Sequence, residues 1–348
     1  MAATLADAIT ELIDGRSLGA HGAALTLETI LEGGCAPEQV AGFLVAMAAK
    51  GPTPEELVGF LDTMSSRCVP LELPAELHDR AVDVVGTGGD HSGSVNVSTI
   101  AALVVAGAGV PVVKHGSRRA TSSVGAGDVL EGLGVTIAPG PAVVARCVEE
   151  TGFGFCFAPA FHPALAVVAP VRVALGVRTV FNYLGPMANP ARVPYTLLGV
   201  SDPLLHDVMG VVMGERGARH VLVVRGEDGL DEVSTAARTR VVEVTTSRGG
   251  DLAVRDYVLD PTSHGIARSG PDAILGGDLA RNVEAAREVL GGVAGPVRDV
   301  VVVNAAAALV AADRFVTIDE GITAAQESIS SGAAARVLAR VIEVSATS

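Results

Sequence analysis

The spacing of apolar residues along the chain changes near residue 72. Before it, "LADAITELIDG", "AALTLETILEGG" and "PEQVAGFLVAMAAKG" repeat apolar positions at helical spacing and close on Gly15, Gly33-Gly34 and Gly51. "TPEELVGFLDTM" follows, with Thr53 as cap, Pro54 in the first turn and Glu56 completing a capping box. Short helices on short loops predict a small antiparallel bundle. Past "VPLELPAELHD" the pattern becomes strand-helix alternation. "AVDVVG", "VPVVK", "VTIA" and "FGFCFAP" read as strands, separated by the helical "STIAALVVAGAG", "GAGDVLEGLG" and "PAVVARCVEETG". This predicts an α/β class with a mainly parallel central sheet flanked by helices. Ligands of such sheets lie beyond the carboxyl ends of the strands.

Residues 164–190 interrupt the alternation with a helix-like "ALAVVAPVRVALG" and a loop, "FNYLGPMANPA". Strands resume at "YTLLGV" and "HVLVVRG". From residue 278 the chain reads as four helices: "DLARNVEAAREVLGG", "PVRDVVVVNAAAALVAA", "IDEGITAAQESISSG" and "AAARVLARVIEV". No fixed-period repeat or low-complexity linker is present.

Composition narrows the function classes. Hydrophobic residues are 49% of the chain, aromatics only 3%, and Trp is absent. A core of small aliphatics suits close helix–sheet packing and offers few rings for stacking bases. The net charge of −14 argues against a nucleic-acid partner and requires local cations for any anionic ligand. Cys35, Cys68, Cys147 and Cys156 lack metal spacing and read as buried thiols of a reducing compartment. "MAATLADAIT" has no basic leader pattern, and no apolar run reaches transmembrane length uninterrupted. A cytoplasmic protein without a membrane partner is expected.

Four stretches carry candidate chemistry. "DVVGTGGDHSGSVNVST" (83–99) puts glycines and hydroxyls between a strand and a helix, where backbone N–H groups and a helix N-terminus receive an oxyanion. A capped tight turn is the plainer reading. "KHGSRRATSS" (114–123) follows the next strand and so leaves the same rim; Lys114, Arg118 and Arg119 bring charge, and Thr121, Ser122 and Ser123 bring donors. Together the loops suit a polyanion; a solvated turn is the alternative. "GEDGLDE" (226–232) offers hard oxygen ligands for Mg²⁺, or an acidic surface turn. In "FHPALAVVAPVRVALGVRT" (161–179), Arg172 and Arg178 lie in or beside an apolar helix and need a partner, either a substrate carboxylate or a structural acid.

In order along nearly the whole chain, "GTGGD", "NVST", "KHG", "DVLEGLG", "FAPAFHPA", "APVRVALGVRTVFNYLGPMANPA" and "GEDGLDE" resemble the anthranilate phosphoribosyltransferase family. The N-terminal "QVAGFLVAMAAKGPTPEEL" and the late "NAAAAL" fit as well. The resemblance implies a discontinuous helical domain, residues 1–72 plus about 163–186, serving dimerisation and the acceptor. It implies an α/β domain, about 73–162 plus 187–348, binding phosphoribosyl pyrophosphate and Mg²⁺. The implied reaction transfers phosphoribose to the amine of anthranilate in tryptophan biosynthesis, with two Mg²⁺ ions, in a homodimer. Lys114, His115 and Arg118 are the implied catalytic residues. Gly86, Gly89, Asp90, Ser94 (in place of the usual Thr), Asn96, Val97, Ser98, Thr99, Lys114, Gly116, Arg118, Thr121 and Ser122 match the donor site. Gly86, His115, Ser117, His162 and Arg172 match the acceptor site, and Ser98, Asp231 and Glu232 match the metal ligands.

The acceptor side departs from the family pattern. Ser117 stands where Asn is usual and has a shorter reach. Ala126 replaces a hydroxyl residue, "HPALAVV" lacks the usual basic and imidazole groups, and Tyr183 and Met187 replace leucines. A related amino-aromatic acid in a specialised pathway is therefore the alternative acceptor. Two remoter alternatives are a pyrimidine-nucleoside phosphorylase and a non-catalytic nucleic-acid-binding relative. The acidic pair counts against both, and the charge of −14 against the second.

Overall fold

The computed structural model describes residues 4–118 and 124–347. The chain divides into two compact units, Met1–Pro70 with Ala158–Pro190, and Leu71–Phe157 with Ala191–Ser348. The break points expected near 72, 163 and 186 lie a few residues away from these.

The first unit is helical. Its N-terminal part is α1 (Leu5–Ile13), α2 (Gly19–Leu31), α3 (Pro37–Lys50) and α4 (Pro54–Ser66). Thr53 accepts from the Glu56 N–H while Glu56 accepts from the Thr53 N–H, the reciprocal box that starts α4. Helix α2 packs on α4 and α1 on α3, around Leu27, Leu44, Met47, Leu57 and Phe60. The second part is α9 (Ala158–Phe161), a 3-10 turn at Pro163–Val167, α10 (Ala169–Leu175) and α11 (Phe181–Met187). Helix α11 corrects the loop expected for "FNYLGPMANPA". Phe181, Leu184 and Met187 are buried at helical spacing, and Asn182 Oδ1 accepts the Thr179 N–H at 3.0 Å at the helix start. That burial outweighs Pro186 within so short a helix.

The second unit opens with α5 (Ala75–His78) and strand β1 (Val82–Gly86), then α6 (Val97–Gly107), β2 (Val112–Gly116), α7 (Ala126–Gly132), α8 (Pro141–Thr151) and β3 (Phe153–Phe157). After the helical insertion come β4 (Tyr195–Gly199), α12 (Pro203–Glu215), β5 (His220–Gly226), β6 (Thr239–Thr246) and β7 (Leu252–Leu259). The chain ends with α13 (Leu279–Leu290), α14 (Pro296–Ala311), α15 (Ile318–Ser330) and α16 (Ala333–Ser345). The seven strands run in the order β3-β2-β1-β4-β5-β6-β7. The first five are parallel, and β6 and β7 form an antiparallel hairpin. Strand order reverses between β1 and β4, which opens a crevice beyond their carboxyl ends.

"VTIA" is not a strand. The Thr136 N–H donates to Ser345 Oγ of α16 at 3.1 Å, and Val135 and Ile137 enter the core without a strand neighbour. The core is aliphatic, and α14 runs through it with every residue from Val300 to Ala311 buried. Among the described residues the four cysteines form no disulfide; Cys147 and Cys156 are buried, whereas Cys35 and Cys68, in connections beyond α2 and α4, are partly exposed. Among the described residues no helix is long and apolar enough to cross a membrane.

Candidate active site

The site is built where β1, β2, β4 and β5 end, each in a glycine: Gly86, Gly116, Gly199 and Gly226. At Gly86, Gly199 and Gly226 the loop after β5 occupies the side-chain space, and at Gly116 Phe155 and Ala126 do. A Cβ on Gly199 would overlap the Asp231 carbonyl oxygen, and one on Gly86 would lie 2.6 Å from Asp231 Oδ2. Asp231 Oδ2 accepts the Gly88 N–H at 2.6 Å, so the acidic loop and the glycine-rich loop are joined. Gly88 and Gly89 both have positive φ, 65° and 74°, the conformation that only glycine adopts without strain.

Charge is concentrated here and unbalanced. Lys114 is 2% exposed. Its Nζ donates to the Val84 carbonyl at 2.5 Å and to Ser98 Oγ at 3.2 Å. Burial lowers its pKa, while Asp83 and Glu232 oppose that shift. Burial and the neighbouring Asp90 push Asp231 up to about 7. Glu232 keeps some exposure as a residue, yet burial of its carboxyl and the adjacent Asp231 raise it well above the usual range; Lys114 and the Ser98 N–H pull the other way. Asp90 Oδ2 is buried and receives no hydrogen bond among the described residues. Lys114 thus offsets Asp83 and Glu232, while Asp231 and Asp90 face each other. Such a cluster favours a proton or a cation. Among the described residues no three acidic, thiol or imidazole groups form a ready-made cage. Mg²⁺ is commonly bound through one or two carboxylates, waters and substrate phosphates, so the donor set fits that ion.

The expected donor residues are placed as follows. Gly86, Gly89, Asp90, Ser98 and Lys114 lie in or beside this cluster. Ser94, Asn96, Val97 and Thr99 belong to the loop and first turn of α6, with Asn96 Oδ1 accepting from Thr99 Oγ1 at 2.5 Å. His115 is buried, and its N–H donates to Asp83 Oδ1 at 3.2 Å. Gly116 ends β2, and the Ser117 carbonyl accepts the Gly127 N–H at 3.0 Å. Arg118 turns away to α7, pairing with Glu131 at 2.5 Å and Asp128 at 3.4 Å, with its guanidinium 5.8 Å over the Phe157 ring. Arg119, Thr121, Ser122 and Ser123 lie outside the described residues.

Two further residues expected at the acceptor belong to the helical unit. His162 is buried, with Nε2 3.0 Å from the Ala188 carbonyl, and burial lowers its pKa. Arg172 is half-buried on α10 with its guanidinium 5.4 Å over the Phe181 ring. Burial lowers its pKa, and among the described residues of that unit it makes no ion pair.

Sequence reasoning missed the residues that hold these loops. Asn282 of α13 accepts the Asn96 N–H at 2.9 Å. The Gly276 N–H donates to the Gly93 carbonyl and the Val95 N–H to the Ile274 carbonyl, both at 2.8 Å. These residues are remote in sequence from the motifs they support, so only the double glycine at 276–277 hinted at a close approach.

Both units have counterparts among known proteins. The helical bundle domain of a glycosyl transferase family matches residues 6–68, and that family's a/b domain matches residues 78–335. The chain is 47% identical over 333 residues to an anthranilate phosphoribosyltransferase of Thermomicrobium roseum, covering 96% of this chain and 94% of the relative. The chain belongs to the anthranilate phosphoribosyltransferase family. Among solved members of that family, the Thermus thermophilus enzyme superposes with a TM-score of 0.88 at 38% identity, over 98% of this chain and 100% of that one. The Saccharomyces cerevisiae enzyme, solved in complex with PRPP and Mg, gives 0.87 at 27% identity over 98% and 97%.

Proposed function

We propose that the chain transfers the 5-phosphoribosyl group of phosphoribosyl pyrophosphate to the amine of anthranilate. The products are N-(5-phosphoribosyl)anthranilate and pyrophosphate, in tryptophan biosynthesis. The observation that carries this reading is the buried acidic cluster around Asp231, joined to the glycine-rich loop, with Lys114 beside Glu232.

The donor's phosphates are received by N–H groups of the loop from Gly86 to Thr99 at the N-terminus of α6. Two Mg²⁺ ions held by Asp231, Glu232 and Ser98 would neutralise charge on the departing pyrophosphate. Lys114, fixed by the Val84 carbonyl, adds positive charge beside the same group. The bond from ribose C1 to the pyrophosphate oxygen breaks, and its electron pair leaves with that oxygen. The acceptor amine, neutral at pH 7, attacks C1 from the opposite face and then loses its proton to water. No strong general base is needed, so positioning and leaving-group stabilisation account for most of the acceleration. His115, Gly116 and Arg118, with Thr121 and Ser122, complete the donor loop.

On the acceptor side, Arg172 meets the anthranilate carboxylate. Its support is a half-buried guanidinium with no ion pair among the described residues of its own unit. His162 and Ser117 match the other residues that the family resemblance assigns to the acceptor. The short Ser117 side chain supports a second reading, transfer to a related amino-aromatic acid. The yeast family member has also been solved with 4-fluoroanthranilate.

The active form is a homodimer of cytoplasmic location, made through the helical unit, where Ile13, Val45, Val173 and Val177 are exposed. Sedimentation velocity checks the dimer. Pyrophosphate release across a panel of anthranilate, ring-substituted anthranilates and aminobenzoates checks the reaction. Anthranilate is expected to give the highest kcat/KM. A tenfold advantage for another acceptor, about 1.4 kcal/mol, establishes the second reading instead.

A further inference from the structure

The acidic loop after β5 is held by a residue that this reaction scheme does not use. Asn304 lies in the middle of α14, fully enclosed by the aliphatic run from Val300 to Ala311. Its Oδ1 accepts the Val233 N–H at 2.8 Å. Its Nδ2 donates to the Val233 carbonyl at 2.9 Å and to the Val300 carbonyl at 2.8 Å. Two of the three bonds thus join one carboxamide to both polar groups of a single residue, as a neighbouring strand would. Val233 follows the acidic pair directly and is itself fully buried.

A buried amide in an aliphatic helix is costly unless its polar atoms are bonded. Here they are, and the partner's polar groups, Val233 N–H and C=O, are equally far from water and need the same bonds. The other flank of the loop is wound on itself. Ser234 Oγ donates to Asp228 Oδ2 at 2.7 Å and accepts from the Ala236 and Ala237 N–H groups at 3.0 and 3.1 Å. The Ser234 N–H donates to Thr239 Oγ1 at 2.9 Å. Because α14 packs on β4 and β5, the Asn304 bonds tie the loop to the centre of the sheet. We propose that Asn304 is a positioning residue for the Asp231–Glu232 pair, fixing the peptide that follows it so that both carboxylates face the carboxyl edge before metal or donor arrives. This rests on the reading of that pair as the Mg²⁺ site. Mg²⁺ demands near-octahedral geometry, so a small swing of the loop is felt at the metal.

The test compares the full chain with Asn304→Leu, which removes all three bonds at similar volume. Mn²⁺ is the probe, titrated by electron paramagnetic resonance in the presence of pyrophosphate. The folded variant, checked by its melting transition, is expected to bind Mn²⁺ roughly 10- to 100-fold more weakly, the usual loss when a support of metal ligands is removed. KM for the donor rises, while KM for anthranilate stays within about twofold. A lower melting temperature with unchanged Mn²⁺ affinity overturns the positioning role alone. Failure of the unaltered chain to bind Mn²⁺ overturns the metal reading itself. Should Asn304→Leu not fold, hydrogen exchange on the unaltered chain decides. The Val233 amide is expected to be protected like the core of α14 without any ligand. Fast exchange that slows only on adding Mn²⁺ and pyrophosphate means that the ligand organises the loop, and Asn304 does not.

Discussion

Glu56 and Asp231 are both carboxylates withdrawn from water, one in each unit, and the protein treats them in opposite ways. Glu56 is fully buried and receives Lys50 Nζ at 2.7 Å, the Leu18 N–H at 2.9 Å and the Thr53 N–H at 2.8 Å. Asp231 is 8% exposed, receives the Gly88 N–H, and faces a second carboxylate, Asp90. One acid is neutralised by its own chain and the other is left short of positive charge. The first ties together α3, α4 and the turn before α2. The second stores a deficit that a ligand relieves. Burial alone therefore does not mark a functional acid; what marks it is burial with too few donors.

The largest effect should come from removing the deficit. Asp231→Asn is expected to lower kcat/KM by about 100-fold or more, the scale of losing one group that stabilises a developing charge. The same change should raise stability by about 1 kcal/mol, because a like-charge contact is lost. Urea unfolding beside pyrophosphate-release kinetics reads both. Loss of activity together with loss of stability would place Asp231 with Glu56, as a structural acid. The converse change, Glu56→Gln, strands Lys50, which is nearly buried. It should cost about 3–5 kcal/mol of stability. Activity per folded molecule at low temperature should stay near that of the unaltered chain.

The capping box of Glu56 was legible because Thr53 and Glu56 lie within four residues, whereas its bonds to Lys50 and the Leu18 N–H were not. The β-α alternation was legible too, since period and glycine breaks are local signals. Three elements were not. Helix α11 was hidden by its Gly-Pro-Met-Ala-Asn composition. "VTIA" has strand composition, but β3 is an edge strand and no neighbour takes it up. The β6–β7 hairpin, "RVVEVTT" and "LAVRDYVL" around "SRGGD", breaks the β-α alternation because no helix separates its strands. In the site, the motifs showed which residues gather and their topology placed them on one rim. The sign of the imbalance was invisible, because it depends on Asp83, Asp90 and Lys114 meeting from three different segments. Asn304 and Asn282 were invisible as supports for the same reason, each acting on a backbone more than seventy residues away in sequence.

A third buried charge sharpens the comparison from the other end of the sheet. His220, at the start of β5, places Nδ1 2.6 Å from Asp313 and Nε2 3.2 Å from Glu243. Burial lowers its pKa, but the two carboxylates outweigh that and raise it to about 9. Its folded pKa lies above its unfolded one. The stabilisation is therefore complete below about pH 6.5 and is lost as pH rises through about 9. Discounted for the exposure of Asp313, it is on the order of 1–2 kcal/mol. The difference in urea midpoint between the unaltered chain and His220→Gln should be full at pH 6 and shrink by pH 10. A difference that does not change with pH would mean that packing, and not charge, holds His220.

The smallest effect concerns the cationic loop, where the protein's own acids compete with the donor. Arg118 leaves β2 on the same rim as Lys114 but is exposed and engaged by Glu131 and Asp128 on α7. If it serves the pyrophosphate in the reaction, it must give up those pairs, and exposed ion pairs are weak enough to exchange. Arg118→Ala should therefore raise KM for the donor. Glu131→Gln should lower it by roughly two- to threefold by releasing the guanidinium. Neither change should move the melting temperature appreciably, since the contacts are solvent-screened. A rise in KM with Glu131→Gln would show that α7 presents Arg118 to the donor, and the acid would then belong to the site in the way that Asp231 does. A fall would leave α7 as a resting place, and the imbalance at Asp231 as the feature that draws in the cation accompanying the donor.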